Sequence, residues 1–283
     1  MKIAYLTDTG IGEKTDYFHD PDIFVLPLQI SSESSAWQDM ENFSKDTCTE
    51  QLKNNQVLKT SLPSLGKIEE CFEHIQKQGY TAIVAVPICS GLSGTINALQ
   101  LTAKQFDLPI YIIDTHVTAI VQSYLVKKIK QWIEEKQEKE VIQKKIDEVI
   151  DSCNTLLVPY DLNHLKRGGR LTPLAAALAG LLKIKPILEI NKRTQGKIDA
   201  KEKVRTFSRA MDRLLEIMKE DGVNEQYSVT FAHVDDEETA EIYRQKAIQM
   251  FPGIKSQNWR LCNVVSVHTG LKCQAVQYFK MVD

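Results

Sequence analysis

Long hydrophobic runs are missing from this 283-residue chain. A bilayer-spanning helix needs about 20 apolar residues in succession. The nearest approach, Leu171 to Ile190, is interrupted by Pro173, Lys183, Lys185 and Pro186. The first residues, MKIAYLTDTG, reach Thr7 and Asp8 too soon to form the apolar segment of a signal peptide. A cytoplasmic location is therefore expected. There is no surplus of basic charge either: 35 Lys and Arg face 37 Asp and Glu, for a net charge of -2. Nucleic acids and anionic membranes attract strongly basic surfaces, so neither is an expected partner. The six cysteines form no CxxC pair, and the six histidines show no ligand-like spacing beside them. Reduced thiols and no structural metal are expected. Neither GxGxxG nor GxxxxGK[ST] occurs, so no nucleotide cofactor is implied.

What is present is ordinary globular composition, 43% hydrophobic and 25% charged. At this length one core gives way to two. In the first half, Ile3 to Leu6, Phe24 to Ile30, Ala82 to Ile88 and Ile110 to Asp114 are predicted strands. The last three are nearly continuous in apolar residues, as in strands covered on both faces. Helices are predicted over 64–78, with Ser64 as N-cap, over 95–106, and as one or two long helices over 117–152, broken near EEKQEKE. Alternation of strand and helix predicts a parallel α/β domain. In the second half, strands at 156–159, 186–190, 228–232, 264–267 and 275–280 are spaced irregularly around helices near 173–182, 203–219 and 236–250. The short turn at Thr269-Gly270 predicts that 262–268 and 272–280 pair antiparallel in a mixed sheet. The domain boundary is placed at 153/154.

Three hydroxyl- or glycine-rich segments are candidates for binding an anion. Pro87 to Thr95, with Ser90, Ser93 and Gly94, follows a buried strand and opens a helix, where free N–H groups gather; a plain capping turn is the equal alternative. Thr60, Ser61 and Ser64 precede another helix and read more simply as its cap and approach. In Lys166 to Arg170, two glycines permit close backbone approach and Arg170 is able to pair with a carboxylate, the alternative being a solvated basic turn. His268 at a predicted strand end reads as structural. The small and leucine-rich segment 171–182 suits core packing first and an apolar channel second.

Taken together, TSLPS at 60–64, SGLSGT at 90–95, LNHLKRGGRL at 162–171, LLKIKPIL at 181–188, GKIDAKEKVR at 196–205, His268-Thr269-Gly270 and the early Thr7-Asp8 resemble the DegV family, in the family's order and across nearly the whole chain. The resemblance implies a three-layer α/β/α domain with a parallel sheet (1–153), a two-layer α/β domain with a mixed sheet (154–283), and one long-chain fatty acid between them. It implies a lipid carrier in phospholipid synthesis, not an enzyme. The carrier would present the acyl carboxylate to a kinase subunit similar to dihydroxyacetone kinases, which makes an acyl phosphate. Carried over by position, Thr60 or Ser61, Ser93 with Gly94, Arg170 and His268 meet the carboxylate.

Leu174, Leu178, Leu181 and Ile187 are the candidate tunnel lining. Lys201, Lys203, Arg205 and Arg209, with Arg205 and Arg209 on one helical face, are the candidate kinase-docking group. Two segments depart from the family pattern: His268 is not followed by Gly-Pro, and Thr115 to Ala119 lacks the usual Ser and Gly. The alternative is a Ser/His-dependent acyl hydrolase using Ser93 and His268. However, Gly91-Leu92-Ser93-Gly94-Thr95 has threonine where a nucleophile elbow has its last glycine.

Overall fold

The computed structural model describes residues 2–13, 17–179 and 184–283. The chain divides into two compact units, Met1–Gln143 with Cys262–Val264, and Lys144–Leu261 with Val265–Asp283.

In the first unit, β1 (Ile3–Asp8), β2 (Ile23–Leu26), β6 (Ala82–Ala85) and β7 (Ile110–Ile112) form a wholly parallel sheet in the order β2-β1-β6-β7. Ala4, Leu6, Ile83 and Ala85 bury against Ile68, Phe72 and Ile75 of α2 (Leu65–Lys77) and Ala98 and Leu99 of α3 (Thr95–Gln105). Tyr5 and Val84, of the opposite parity, are also buried. Their face is the one left for α4 (Ile120–Glu134), which packs on β1 through a stripe that includes Val121, Leu125 and Ile129. The α/β/α layering follows. The predicted long helix over 117–152 is two helices, α4 and α5 (Lys139–Ser152), and the chain between them turns through Lys136 at φ 57°.

The predicted strand Phe24 to Ile30 is two strands. Pro27 has no N–H to donate, and the N–H of Leu28 goes to Thr9 Oγ1 at 3.0 Å instead of a neighbouring strand. The chain then enters β3 (Gln29–Ser31), which lies between β4 (Ala36–Gln38) and β5 (Lys59–Ser61) in a small antiparallel sheet. That side sheet carries Thr60 and Ser61.

The second unit is built on a six-stranded mixed sheet in the order β10 (Asp199–Val204), β9 (Lys185–Ile190), β8 (Asn154–Val158), β13 (Gln274–Lys280), β11 (Tyr227–His233), β12 (Lys255–Arg260). Only β11 and β12 run parallel. Leu156, Ile187, Phe231 and Val276 from the sheet bury with Met211 and Leu214 of α8 (Phe207–Glu220) and Ala240 and Tyr243 of α9 (Glu237–Met250). The expected strand at 264–267 is a helix, α10 (Asn263–Thr269), so β13 pairs with β8 and β11 and not with 262–268. Val264 and Val267, three residues apart, are both buried, a helical spacing hidden in a run too short to read. The two strands without sequence signal, β10 and β12, are the sheet's edges, where charged residues are favoured over an alternating apolar pattern.

Candidate functional site

The parallel sheet delivers three loops to its C-terminal edge, where ligands commonly bind in open α/β sheets. The loop after β6 leads through Ser90 and Ser93 into α3. Gly94 is the N-cap of α3 and supplies no side-chain cap, so the first N–H groups of this helix are free of that partner. Ser93 Oγ accepts from the Thr95 N–H at 3.3 Å and shares a hydrogen bond with Thr95 Oγ1 at 2.8 Å. Thr95 is wholly buried, Ser93 half-buried and Gly94 exposed. A Cβ added to Gly94 would lie 3.9 Å from Leu62 Cδ2. The middle of TSLPS, at Leu62, therefore lies beside the start of α3, although the two motifs are about thirty residues apart in sequence. Gln29 Nε2 fixes this turn by donating to the Leu62 carbonyl at 2.8 Å. Ser64 is engaged as the N-cap of α2, accepting from the Lys67 N–H at 3.2 Å, while Thr60 is half-buried and Ser61 exposed.

Beneath this loop lies a buried polar cradle. The Asp8 carboxylate accepts from the N–H groups of Gly10 (2.9 Å) and Ile88 (2.8 Å) and from Gln122 Nε2 (2.9 Å). Gln122 also donates to Thr7 Oγ1 at 2.9 Å, and Thr7 donates to the Val86 carbonyl at 2.8 Å. The end of β1 is thus riveted to the segment that carries Cys89 and Ser90. Burial pushes the Asp8 carboxyl up to about 6, against the pull of its three donors. The neighbouring Asp39 is likewise pushed up to about 6 by burial, with the Asp8 carboxylate reinforcing the effect. Its Oδ1 accepts from Asn263 Nδ2 at 2.8 Å, while Oδ2 is buried without a hydrogen bond. Ser90 donates its hydroxyl to Asp114, and its N–H follows at 3.3 Å. Asp114, Gln122 and Asp39 carried no motif, and sequence alone did not single them out.

In the second unit, α6 (Leu162–Arg167) starts on an Asp161 cap and ends at Gly168-Gly169. Arg170 Nη1 donates back to the Gly168 carbonyl at 2.7 Å, which fixes its guanidinium at the turn. His268 lies on α10 and not at a strand end, and burial, with Arg170 and His164 nearby, pushes its imidazole down to about 4. It is uncharged near neutrality, and a neutral imidazole donates only along the direction of its one ring N–H. Of the candidate tunnel residues, Ile187 is fully buried in the core of this unit, Leu178 is buried, and Leu174 is 60% exposed on α7 (Pro173–Ala176). Leu181 lies outside the described residues.

The docking group is reorganised. Thr206 caps α8, so Arg205 precedes the helix and does not share a face with Arg209. Arg209 is bound at both Nη atoms by Glu216 (2.6 and 3.1 Å), and Lys201 pairs with Glu189 at 3.3 Å.

Residues 2–281 match the family model described as "Uncharacterised protein, DegV family". The chain belongs to the DegV family. A DegV domain-containing protein of Streptococcus pneumoniae is 31% identical over 284 residues, covering 100% of both chains. One from Clostridium acetobutylicum is 28% identical over 95% of each. Among solved structures, a fatty acid binding DegV family protein of Streptococcus agalactiae superposes with a TM-score of 0.89 at 29% identity, covering 100% of both chains. DegV of Bacillus subtilis, described as a fatty acid binding protein, gives 0.86 at 25% identity over 99% of this chain and 100% of that one. The parallel sheet of the first unit and the mixed sheet of the second are those of DegV structures. No described helix is long and apolar enough to cross a membrane, and no described group of His, Cys, Asp and Glu is arranged to hold a metal ion.

Proposed function

We propose that this chain binds one long-chain fatty acid and presents its carboxylate to an ATP-dependent kinase. The observation that carries the reading is the meeting of TSLPS with the start of α3, where the N-cap Gly94 supplies no side-chain cap. A carboxylate only accepts hydrogen bonds, and hydroxyls together with helix N-terminal N–H groups only need to donate. The two DegV proteins described as fatty acid binding, from S. agalactiae and B. subtilis, support the choice of ligand. An acyl tail of about sixteen carbons offers on the order of 10 kcal/mol at about 0.8 kcal/mol per buried methylene. Each head-group bond to a charged acceptor contributes about 1.5–3 kcal/mol. The tail supplies affinity, and the head fixes which end faces the partner. In the kinase step a carboxylate oxygen attacks the γ-phosphorus of ATP, the bond to the ADP oxygen breaks, and acyl phosphate and ADP leave. The carrier contributes position only.

Mass spectrometry of an organic extract of the purified protein should show a fatty acid; a nucleotide in its place would overturn the reading. Ser93→Ala should weaken binding of palmitic acid about tenfold or more. Arg170→Ala, made separately, tests the anion group of the second unit in the same assay. Charge reversal at Arg205 should slow acyl phosphate formation with a dihydroxyacetone-kinase-like subunit and leave palmitic acid binding intact. The hydrolase alternative fares worse in this geometry, because Ser93 hydrogen-bonds to another hydroxyl, that of Thr95, and not to a histidine base. Turnover of short acyl esters that vanishes in Ser93→Ala would restore it.

A further inference from the structure

His164 was not singled out by the sequence, yet it forms one half of a reciprocal contact. Its Nε2 lies 2.8 Å from the Val267 carbonyl, one residue before His268. A carbonyl only accepts, so Nε2 carries the proton. The other nitrogen, Nδ1, faces Arg167 Nη2 at 3.4 Å and is left to accept from it. Behind His164, a Cβ added to Gly270 would meet the ring at 3.0 Å. The mirror contact is tighter: a Cβ on Gly168 would lie 2.5 Å from His268 Nδ1, closer than real side-chain atoms approach. Each histidine thus occupies the space left by a glycine just beyond the other's helix. Gly168 has an ordinary helical φ of -65°, so its own backbone does not demand glycine; the imidazole does.

We propose that His164 is a positioning residue, whose N–H on the Val267 carbonyl and ring on Gly270 hold α10 so that His268 is seated over Gly168 beside Arg170, aimed at the anionic end of the ligand. This rests on the reading of His268 and Arg170 as groups that meet the fatty acid carboxylate. A neutral imidazole works as a donor only along its ring N–H direction, so its use depends on orientation more than a cation's would. Helix α10 spans only seven residues, too few to hold that orientation by itself, and a link from outside it is needed.

The test compares His164→Gln with His164→Asn. The glutamine amide reaches the position of Nε2 and keeps the donor, whereas asparagine is too short. Palmitic acid affinity should stay within about twofold of wild type in His164→Gln and fall about tenfold in His164→Asn. The titration of His268, followed by NMR without ligand, should move further towards that of free histidine in His164→Asn than in His164→Gln, since both lose the His164 imidazole and only asparagine also loses the seating. Gly168→Ala, which leaves His164 intact, should displace the His268 ring and reproduce the asparagine result; it also serves if His164→Asn does not fold. An unchanged His268 titration in both His164→Asn and Gly168→Ala overturns the contact, whatever the binding. Equal loss in the glutamine and asparagine variants overturns the role of the donor. If wild-type protein binds no fatty acid, the functional reading fails, while the NMR titration still decides whether His164 seats His268.

Discussion

Asp39 offers a sharp test of how this fold handles buried charge. Its carboxyl is pushed from 3.8 to about 6 by burial, which outweighs the opposing pull of Thr9 and Asn263, and its Oδ2 has no well-formed hydrogen bond. A raised carboxyl stabilises the fold fully below its unfolded value of 3.8 and loses that stabilisation as pH rises through about 6. Near pH 8 the ionised group therefore costs about 3 kcal/mol; at pH 4.5 the cost is about 1 kcal/mol, because the native protein then holds its proton. Asp39→Asn keeps the acceptor for Asn263 and places an uncharged NH2 where the orphaned oxygen lies. Relative to wild type it should gain about 2 kcal/mol between pH 4.5 and pH 8, whatever constant amount the imperfect amide adds or subtracts.

Urea unfolding in a Trp259→Phe background reads the first unit alone, since the two remaining tryptophans, Trp37 and Trp132, belong to it. His268 must take up a proton in acid and so destabilises in the opposite sense, but it is present in both proteins and cancels in the difference. A difference that is flat with pH would refute the reasoning.

Other perturbations follow from the packing. Ser64→Ala removes the cap of α2 and should lower stability by about 1 kcal/mol, measured by urea unfolding of the first unit. Ile187→Ala opens a cavity in the core of the second unit and should cost about 2–5 kcal/mol in urea unfolding followed at Trp259, with Trp37 and Trp132 replaced by Phe; a cost below 1 kcal/mol would show that this side chain faces space instead of neighbours. Lys130, 12% exposed, binds Asp20 at 2.7 Å and Asp22 at 3.0 Å. Lys130→Ala leaves two part-buried carboxylates without their cation and should cost about 1–2 kcal/mol, a loss that salt partly relieves.

The parallel sheet was legible because its strands are buried on both faces and read as apolar runs, and α2 because Ser64 and Gly79 punctuate it. The mixed sheet was legible only in its centre: β10, reading DAKEKV, and β12, reading KSQNWR, are edge strands whose sequences look like loop or helix. Helix α10 was mistaken for a strand because Val264, Val265 and Val267 have high strand propensity, and tertiary burial overrode it. The hydroxyl motifs were visible as chemistry, but their meeting was not, since Leu62 approaches Gly94 only through the side sheet that begins after Pro27. Of the groups that hold them, Asp8 was visible only as part of the Thr7-Asp8 motif, and Gln122 and Asp114 are single polar residues without a pattern, whose significance lies in their hydrogen bonds.

The first unit borrows Cys262–Val264 from near the far end of the chain. Asn263 donates there to Asp39 and, at 3.1 Å, to the Phe43 carbonyl, some 220 positions upstream. During synthesis those two acceptors must wait until Asn263 itself has left the ribosome. The amino-terminal unit thus cannot reach its final stability before most of the second unit's strands have been made, and the arrival of that late segment becomes the event that locks its oldest part.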